Sequence, residues 1–228
     1  MKKYAIIVAG GSGQRMGSSI PKQFLVLNGQ PVLWYTISTF LQAYPDLRII
    51  LVLPESHLST GHELVDSHMG KERILILPGG ENRFHSVKTG LKHVPGDAIV
   101  FIHDGVRCLV TVQLIRECYE QTLLTGSAIP AIAPPDSVRQ LTQEGASRVI
   151  DRNDIRLIQT PQTFRSILIK EAYEQEYDTR FSDDATVFES KGHSVNLIPG
   201  EVTNLKITLP VDLQFALKIL ENQALNSR

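Results

Sequence analysis

The stretch Ala9-Gly10-Gly11-Ser12-Gly13-Gln14-Arg15-Met16-Gly17 directly follows the apolar run Tyr4 to Val8, and Pro21-Lys22-Gln23 comes a few residues later. Glycines at 10, 11 and 13 can take positive φ and bring the backbone close to an anion, so that successive N–H groups point at phosphate oxygens. Arg15 and Lys22 would add full charges to those partial ones. The spacing excludes two common glycine loops. A Walker loop needs lysine right after its last glycine, but Gly17 is followed by Ser18-Ser19 and the lysine waits until 22. A dinucleotide fingerprint counted from Gly11 meets Met16 where its third glycine belongs. Taken alone, the glycines also fit an ordinary tight turn between strand and helix.

His103-Asp104-Gly105-Val106-Arg107 ends a second apolar run, Ala98 to Ile102. An aspartate at a strand's carboxyl end, beside a phosphate loop, suits Mg²⁺ against a triphosphate, although it could equally cap the next turn. His103 has no second His or Cys at zinc spacing and reads as a packed strand-end residue. Gly79-Gly80-Glu81-Asn82-Arg83-Phe84-His85-Ser86-Val87 reads as a strand-to-helix turn with Glu81 or Asn82 near the helix start and Arg83 as a structural anchor. Asn204-Leu205-Lys206-Ile207-Thr208 reads as a short strand before a helix opened by Pro210 and Asp212, and a lysine there could simply be solvated at a sheet edge.

These groups need a scaffold that brings strand ends together. Short β-branched runs at 4–8, 48–53, 73–77, 98–102 and 127–133 alternate with helical spacing such as Val32, Leu33, Thr36, Ile37 and Phe40. That alternation predicts an α/β fold with a doubly wound, mostly parallel sheet covered on both faces, whose active site lies beyond the strands' carboxyl ends. It breaks at Pro134 to Asp151, where Ser137 to Leu141 and Ser147 to Ile150 flank a turn at Glu144-Gly145. This reads as a β-hairpin, which needs something to pack on: its own domain or another chain.

The length of 228 residues suits one domain over 1–228, and a net charge of -1 gives no reason to expect nucleic acid or a membrane surface. The two cysteines, Cys108 and Cys118, cannot form a disulfide framework, the start Met1-Lys2-Lys3 leads straight into a strand, and no apolar run nears the roughly 20 residues that cross a bilayer. A cytoplasmic location is the expectation.

AGGSGQRMG and PKQF resemble the opening signature of the nucleotidyltransferases. With GGENRFHSV at 79–87, HDGVR at 103–107, DRNDI at 151–155, QTPQTF at 159–164, SDDA at 182–185 and NLKIT at 204–208, the resemblance runs the length of the chain. It points to the 2-C-methyl-D-erythritol 4-phosphate cytidylyltransferase family. The resemblance implies a Rossmann-like nucleotidyltransferase fold and a homodimer built through a protruding arm at 134–151. It implies cytidylyl transfer from CTP to methylerythritol phosphate, with Mg²⁺ on Asp104. Arg15, Lys22 and Lys206 would be catalytic, while Ala9, Gly10, Gly11, Gly13, Gly80, Ser86 and Asp104 would bind the nucleotide. Gly105, Arg107, Ser137, Arg152, Thr160 and Ser182 would serve the second substrate, Ser137 and Arg152 across the dimer. Ser137 and Ser182 replace threonines and keep the hydroxyl. The family often has proline at Cys108 and an acid just before Asn204, where this chain has Thr203; Glu201 is the nearby substitute.

The expected chemistry follows from charge. A phosphate monoester is already ionised near neutral pH, so attack on the α-phosphorus of CTP needs cations rather than a general base. A nearer rival is ribitol 5-phosphate cytidylyl transfer, on the same glycine loop, HD-x-x-R patch and terminal lysine. A non-catalytic nucleotide-binding module and a dinucleotide oxidoreductase are the rivals from other classes.

Overall fold

The computed structural model describes residues 1–11, 20–142 and 145–226, the last three through their backbone alone. Gly13 and Arg15 of the glycine run, and Glu144 of the hairpin turn, lie outside the described residues.

The β-branched runs form the strands expected of them. Among the described residues an eight-stranded sheet has β1 (Lys2–Val8) at its centre, flanked by β6 (Ala98–Asp104) and β4 (Arg48–Leu53), with β5 (Ile74–Pro78) at one edge. These four are mutually parallel. On the other side β11 (Gln162–Arg165) runs antiparallel to both β6 and β7 (Ser127–Ile132), and β10 (Leu157–Ile158) and β12 (Leu197–Pro199) pair with β7. The sheet is thus mixed with a parallel half, and the site sits on that half. Register makes it so: Val8 pairs with Asp104 and with Val52, and Leu53 with Pro78, so all four parallel strands end level.

Side chains of β1 alternate across the sheet, as the period of a strand requires. Ala5 and Ile7 face α1 (Val32–Ala43) and α4 (Val112–Thr125), meeting Leu33, Ile37, Phe40 and Leu114. Tyr4, Ile6 and Val8 face α3 (Arg83–Lys92), α5 (Ser166–Ala172) and α6 (Asp184–Glu189), meeting Phe84, Val87, Ile169 and Phe188. Each fully buried Leu, Ile or Phe in these layers contributes roughly 1.5–3 kcal/mol. Helix α3 lies close on β1 because Gly90 has no side chain: a Cβ there would stand 2.7 Å from Ile6 Cγ2. Between β4 and β5 runs α2 (Leu58–Asp66), and α7 (Pro210–Asn226) covers a third cluster of Leu27, Val32, Val106 and Ile207, which takes in Leu27 of β2 (Val26–Leu27), the strand paired with β3 (Gln30–Pro31).

Two expectations change. Strand β6 continues through His103 and Asp104 rather than ending at Ile102, so the aspartate is the last residue of the ladder. Asn204 to Thr208 is not a strand: it follows no sheet edge, and the bond from Ile207 N–H to the Val106 carbonyl ties it to the loop after β6. The hairpin forms as β8 (Val138–Leu141) and β9 (Ser147–Ile150), paired only with each other. It does not lie on its own domain, since Leu141 is 79% and Val149 71% exposed. Among the described residues no helix is long and apolar enough to cross a membrane.

Candidate active site

Where the four parallel strands end, the chain encloses a cavity of about 500 Å³. Ala9, Gly10 and Gly11 leave β1 on one side, Gly79 to Ser86 leaves β5 on another, and Asp104 closes β6 between them. Lys22 and Lys206 also reach it. The residues that follow β1, β5 and β6 share one wall because parallel strands deliver their carboxyl ends to the same side, and Lys206 is brought there by the bond that ties Ile207 to Val106.

Asp104 is the electrostatic centre. Its Oδ2 lies 2.8 Å from Lys206 Nζ and 3.9 Å from Arg107 Nε, and its Oδ1 lies 3.3 Å from Arg83 Nε. Burial alone would raise its pKa, but the charges of Arg83, Lys206 and Arg107 outweigh burial and hold the carboxyl well below its ordinary range. Asp104 is therefore ionised throughout the physiological range. Its backbone N–H donates to Thr160 Oγ1 at 3.1 Å. Thr160 Oγ1 in turn lies 3.1 Å from His103 Nδ1, and His103 Nε2 lies 3.2 Å from the Arg107 carbonyl. Burial pushes the His103 pKa down to about 3, so the ring is neutral. A carbonyl only accepts, so Nε2 carries the proton, Nδ1 accepts from the threonine hydroxyl, and the threonine's lone pair receives the Asp104 N–H. Both roles of the Thr160 hydroxyl are thus occupied in holding the end of β6.

The lysines are anchored as carefully. Lys22, in a 3₁₀ turn at Lys22–Phe24, is buried and donates to the Ile207 carbonyl at 2.9 Å. Ile207 immediately follows Lys206, so one lysine fixes the backbone that carries the other. Arg107 Nη1 donates to the Asn204 carbonyl at 2.8 Å and Asn204 Nδ2 to the Thr160 carbonyl at 2.9 Å, which tie the same segment to the β6 end. Beside Lys22, Gln23 donates from Nε2 to the Ala9 carbonyl at 2.7 Å and so fixes the start of the glycine run. Glu201 does not stand in for the acid absent at 203: its Oε1 accepts from Thr111 Oγ1 at 2.6 Å, and burial raises its pKa.

The opposite wall is a loop closed on itself. Asn82 caps α3 through its side chain, accepting from His85 N–H at 3.1 Å. Ser86 Oγ accepts from Gly80 N–H at 3.1 Å and donates to the Asn82 carbonyl at 2.9 Å. Gly80 is required by closeness rather than by φ, since a Cβ there would lie 2.4 Å from His85 Cβ.

Eight of the expected residues, Ala9, Gly10, Gly11, Lys22, Gly80, Ser86, Asp104 and Lys206, line the cavity. Arg107, Thr160 and Gly105 stand behind it: Gly105 is wedged where a Cβ would sit 2.9 Å from Ala9 Cβ. Ser137, Arg152 and Ser182 are exposed and away from the lining, Arg152 donating to the Pro135 carbonyl at 3.1 Å. Sequence reasoning gave Arg83 only an anchoring role, and it missed Asp184 and Tyr173. Arg83 lines the cavity, contacts Asp104 and binds Asp184 through both terminal nitrogens, at 2.9 and 2.6 Å. No local signal distinguishes such an arginine, because its partner lies 101 residues away.

Among the described residues no group of three or more His, Cys, Asp or Glu could hold a metal ion. Mg²⁺ commonly takes only one or two carboxylates and completes its shell with water and substrate phosphates. The ionised Asp104, which shares the cavity lining with Glu55 and Glu81, has the hard oxygen chemistry for an ion that arrives on a triphosphate.

Comparison with known proteins agrees with this geometry. The profile of the IspD family, 2-C-methyl-D-erythritol 4-phosphate cytidylyltransferase, matches residues 4–222. The enzyme of that name from Phocaeicola vulgatus is 47% identical over 216 residues, spanning 95% of this chain and 98% of the relative. That from Bacteroides fragilis is 46% identical over 220 residues, spanning 96% and 100%. Among solved structures, 4-diphosphocytidyl-2C-methyl-D-erythritol synthase from Anaerococcus prevotii superposes with a TM-score of 0.82 at 28% identity, covering 96% of this chain and 97% of that one. The 2-C-methyl-D-erythritol 4-phosphate cytidylyltransferase from Thermus thermophilus superposes with a TM-score of 0.76 at 29% identity, covering 97% and 100%. With the profile spanning nearly the whole chain and relatives this similar over their full length, the chain belongs to the 2-C-methyl-D-erythritol 4-phosphate cytidylyltransferase family.

Proposed function

We propose that the cavity binds CTP as its Mg²⁺ complex and transfers the cytidylyl group to 2-C-methyl-D-erythritol 4-phosphate, giving 4-diphosphocytidyl-2-C-methyl-D-erythritol and pyrophosphate. The observation that carries this reading is the ionised Asp104 on the same cavity as Lys22, Lys206 and Arg83, with the glycine run beside it. An acceptor phosphate oxygen attacks the α-phosphorus, a new P–O bond forms, and the bond to the β-phosphate oxygen breaks. Attacker and target are both anionic, so the residues' work is electrostatic. Lys206 and Lys22 neutralise the approach and hold the α-phosphate, with Arg15 assigned to the same task from its place in the sequence. Asp104 would hold a Mg²⁺ ion arriving with the nucleotide, and that ion would supply Lewis-acid stabilisation of the departing pyrophosphate. The backbone N–H groups of Gly10 and Gly11 and the loop at Gly80 and Ser86 hold the nucleotide.

The acceptor site is proposed to be completed by a second copy of the chain. The arm β8–β9 carries Leu141 and Val149 into solvent, and an isolated two-stranded ribbon is marginal. Docked on a partner, it would bring Ser137 and the guanidinium of Arg152 to the partner's acceptor phosphate, with Ser182 and Arg107 on the home side. A cytoplasmic location is inferred from two unpaired buried thiols, Cys108 and Cys118.

Pyrophosphate release from CTP and Mg²⁺, with methylerythritol 4-phosphate and ribitol 5-phosphate offered separately, tests the reading. Release with the first alone is expected, whereas release with the second alone, or with neither, overturns it. Lys22→Ala and Lys206→Ala should each lower turnover by roughly 10²–10³, as loss of a preorganised transition-state donor does.

A further inference from the structure

The least expected feature of the cavity is how Arg83 divides itself between two carboxylates. Its terminal nitrogens Nη1 and Nη2 meet Asp184 at 2.9 and 2.6 Å, whereas only Nε faces Asp104, at 3.3 Å. Charge-assisted contacts of this kind are ordinarily about 2.7–2.9 Å, so the bond to Asp104 is loose and the bond to Asp184 is tight. Asp184 is fully buried at the first turn of α6, and Tyr173 Oη donates to its Oδ1 at 2.6 Å. Asp183 next to it makes the α6 cap, so Asp184 is not needed for capping. It serves Arg83.

We propose that Asp184, braced by Tyr173, is a positioning residue for the reaction: it holds the Arg83 fork off Asp104, so that the Asp104 carboxylate can turn from Lys206 to the incoming cation-bound nucleotide. This rests on the reading of the cavity given above. Without the Asp184 charge, the guanidinium has Asp104 as its neighbouring carboxylate. A fork pairing with both Asp104 oxygens would displace Lys206 from Oδ2 and block the incoming substrate. Asp184 thus acts through Arg83 on a group it does not touch.

A double-mutant cycle tests this, with turnover, calorimetric binding of Mg·CTP in the absence of acceptor, and thermal melting read for each protein. Asp184→Asn keeps the shape and removes the charge. It should lower turnover and Mg·CTP affinity by roughly 10- to 100-fold, the usual effect of losing a group that orients a metal-binding residue. Adding Arg83→Gln removes the released fork, and the double variant should regain most of that loss. Wild-type Mg·CTP affinity in Asp184→Asn overturns the proposal. So does a double variant no better than Asp184→Asn, which would mean that Asp184 only supports the fold. If Asp184→Asn fails to fold, the double variant, with neither charge buried alone, is compared with Arg83→Gln. Because Asp184 acts through Arg83, equal Mg·CTP affinity in these two variants is expected, and a markedly lower affinity in the double variant overturns the inference. Binding is measured without acceptor, so a wild type that binds Mg·CTP but transfers to neither polyol phosphate counts against the proposed reaction and leaves the positioning test intact.

Discussion

Replacing Thr160 by valine separates a residue that touches substrate from one that holds the site together. The family resemblance gives Thr160 to the second substrate, but its hydroxyl accepts from Asp104 N–H at 3.1 Å and donates to His103 Nδ1 at 3.1 Å. Valine has the same shape and neither capacity, so two buried polar atoms lose their partner. Each orphaned group costs roughly 1–3 kcal/mol, giving a loss of about 2–6 kcal/mol. For a chain of this size 1 kcal/mol moves the melting temperature by about 2–4 °C, so a central loss near 4 kcal/mol should lower it by roughly 8–16 °C. Turnover should fall with it, because the carboxylate at the end of β6 is no longer fixed, and Thr160→Ser should restore both. The assay is thermal melting in chelator, paired with steady-state kinetics varying the acceptor. An unchanged melting temperature with a raised acceptor KM would refute the argument, since the hydroxyl would then be working on substrate alone.

Acid stability should depend on His103. Its folded pKa of about 3 lies below the unfolded value of about 6.5, so its stabilising contribution is complete above the unfolded value and is lost as pH falls toward the folded one. Between pH 7 and 5 the loss is about 2 kcal/mol, and Asp104, with its depressed pKa, gives up stability only below roughly pH 4. His103→Gln, which can still donate to the Arg107 carbonyl, should lose that much less in urea unfolding over this window in chelator at fixed protein concentration. The burial-lowered His68 remains in both proteins, and identical pH slopes would contradict the assignment. Gly80→Ala forces a Cβ to within 2.4 Å of His85 Cβ, where backbone atoms leave no room, so the loop must shift; CTP affinity should fall by about tenfold or more, checked by calorimetry. Leu141→Asp with Val149→Asp puts charges on the exposed arm and should convert the proposed dimer to a monomer in light scattering; an unchanged mass would count against the arm as a dimer contact.

The chain's own residues fixed a good deal in advance. Alternating β-branched runs and helical spacing dictate the layered sheet, because period 2 and period 3.6 are written locally. Glycines 10, 11 and 80 and Asp104 could be placed at one site because parallel strands deliver their ends together, and Lys22 by its closeness to the glycine run; Lys206, whose stretch alone reads as a solvated sheet edge, was placed there by the family resemblance. What stayed hidden depends on contacts that no local pattern encodes. The extension of β6 through Asp104 comes from pairing with Val8, and Asn204 to Thr208 leaves the sheet because it is bonded to Val106, Arg107 and Lys22 rather than to a strand. The commitment of Thr160 to His103, and of Arg83 to Asp184, joins residues 57 and 101 positions apart. Sequence determined which groups bear charge and where strands end; only tertiary packing decided which charges face the cavity and which are spent holding one another, because that division is set by burial and by distances of a few ångströms.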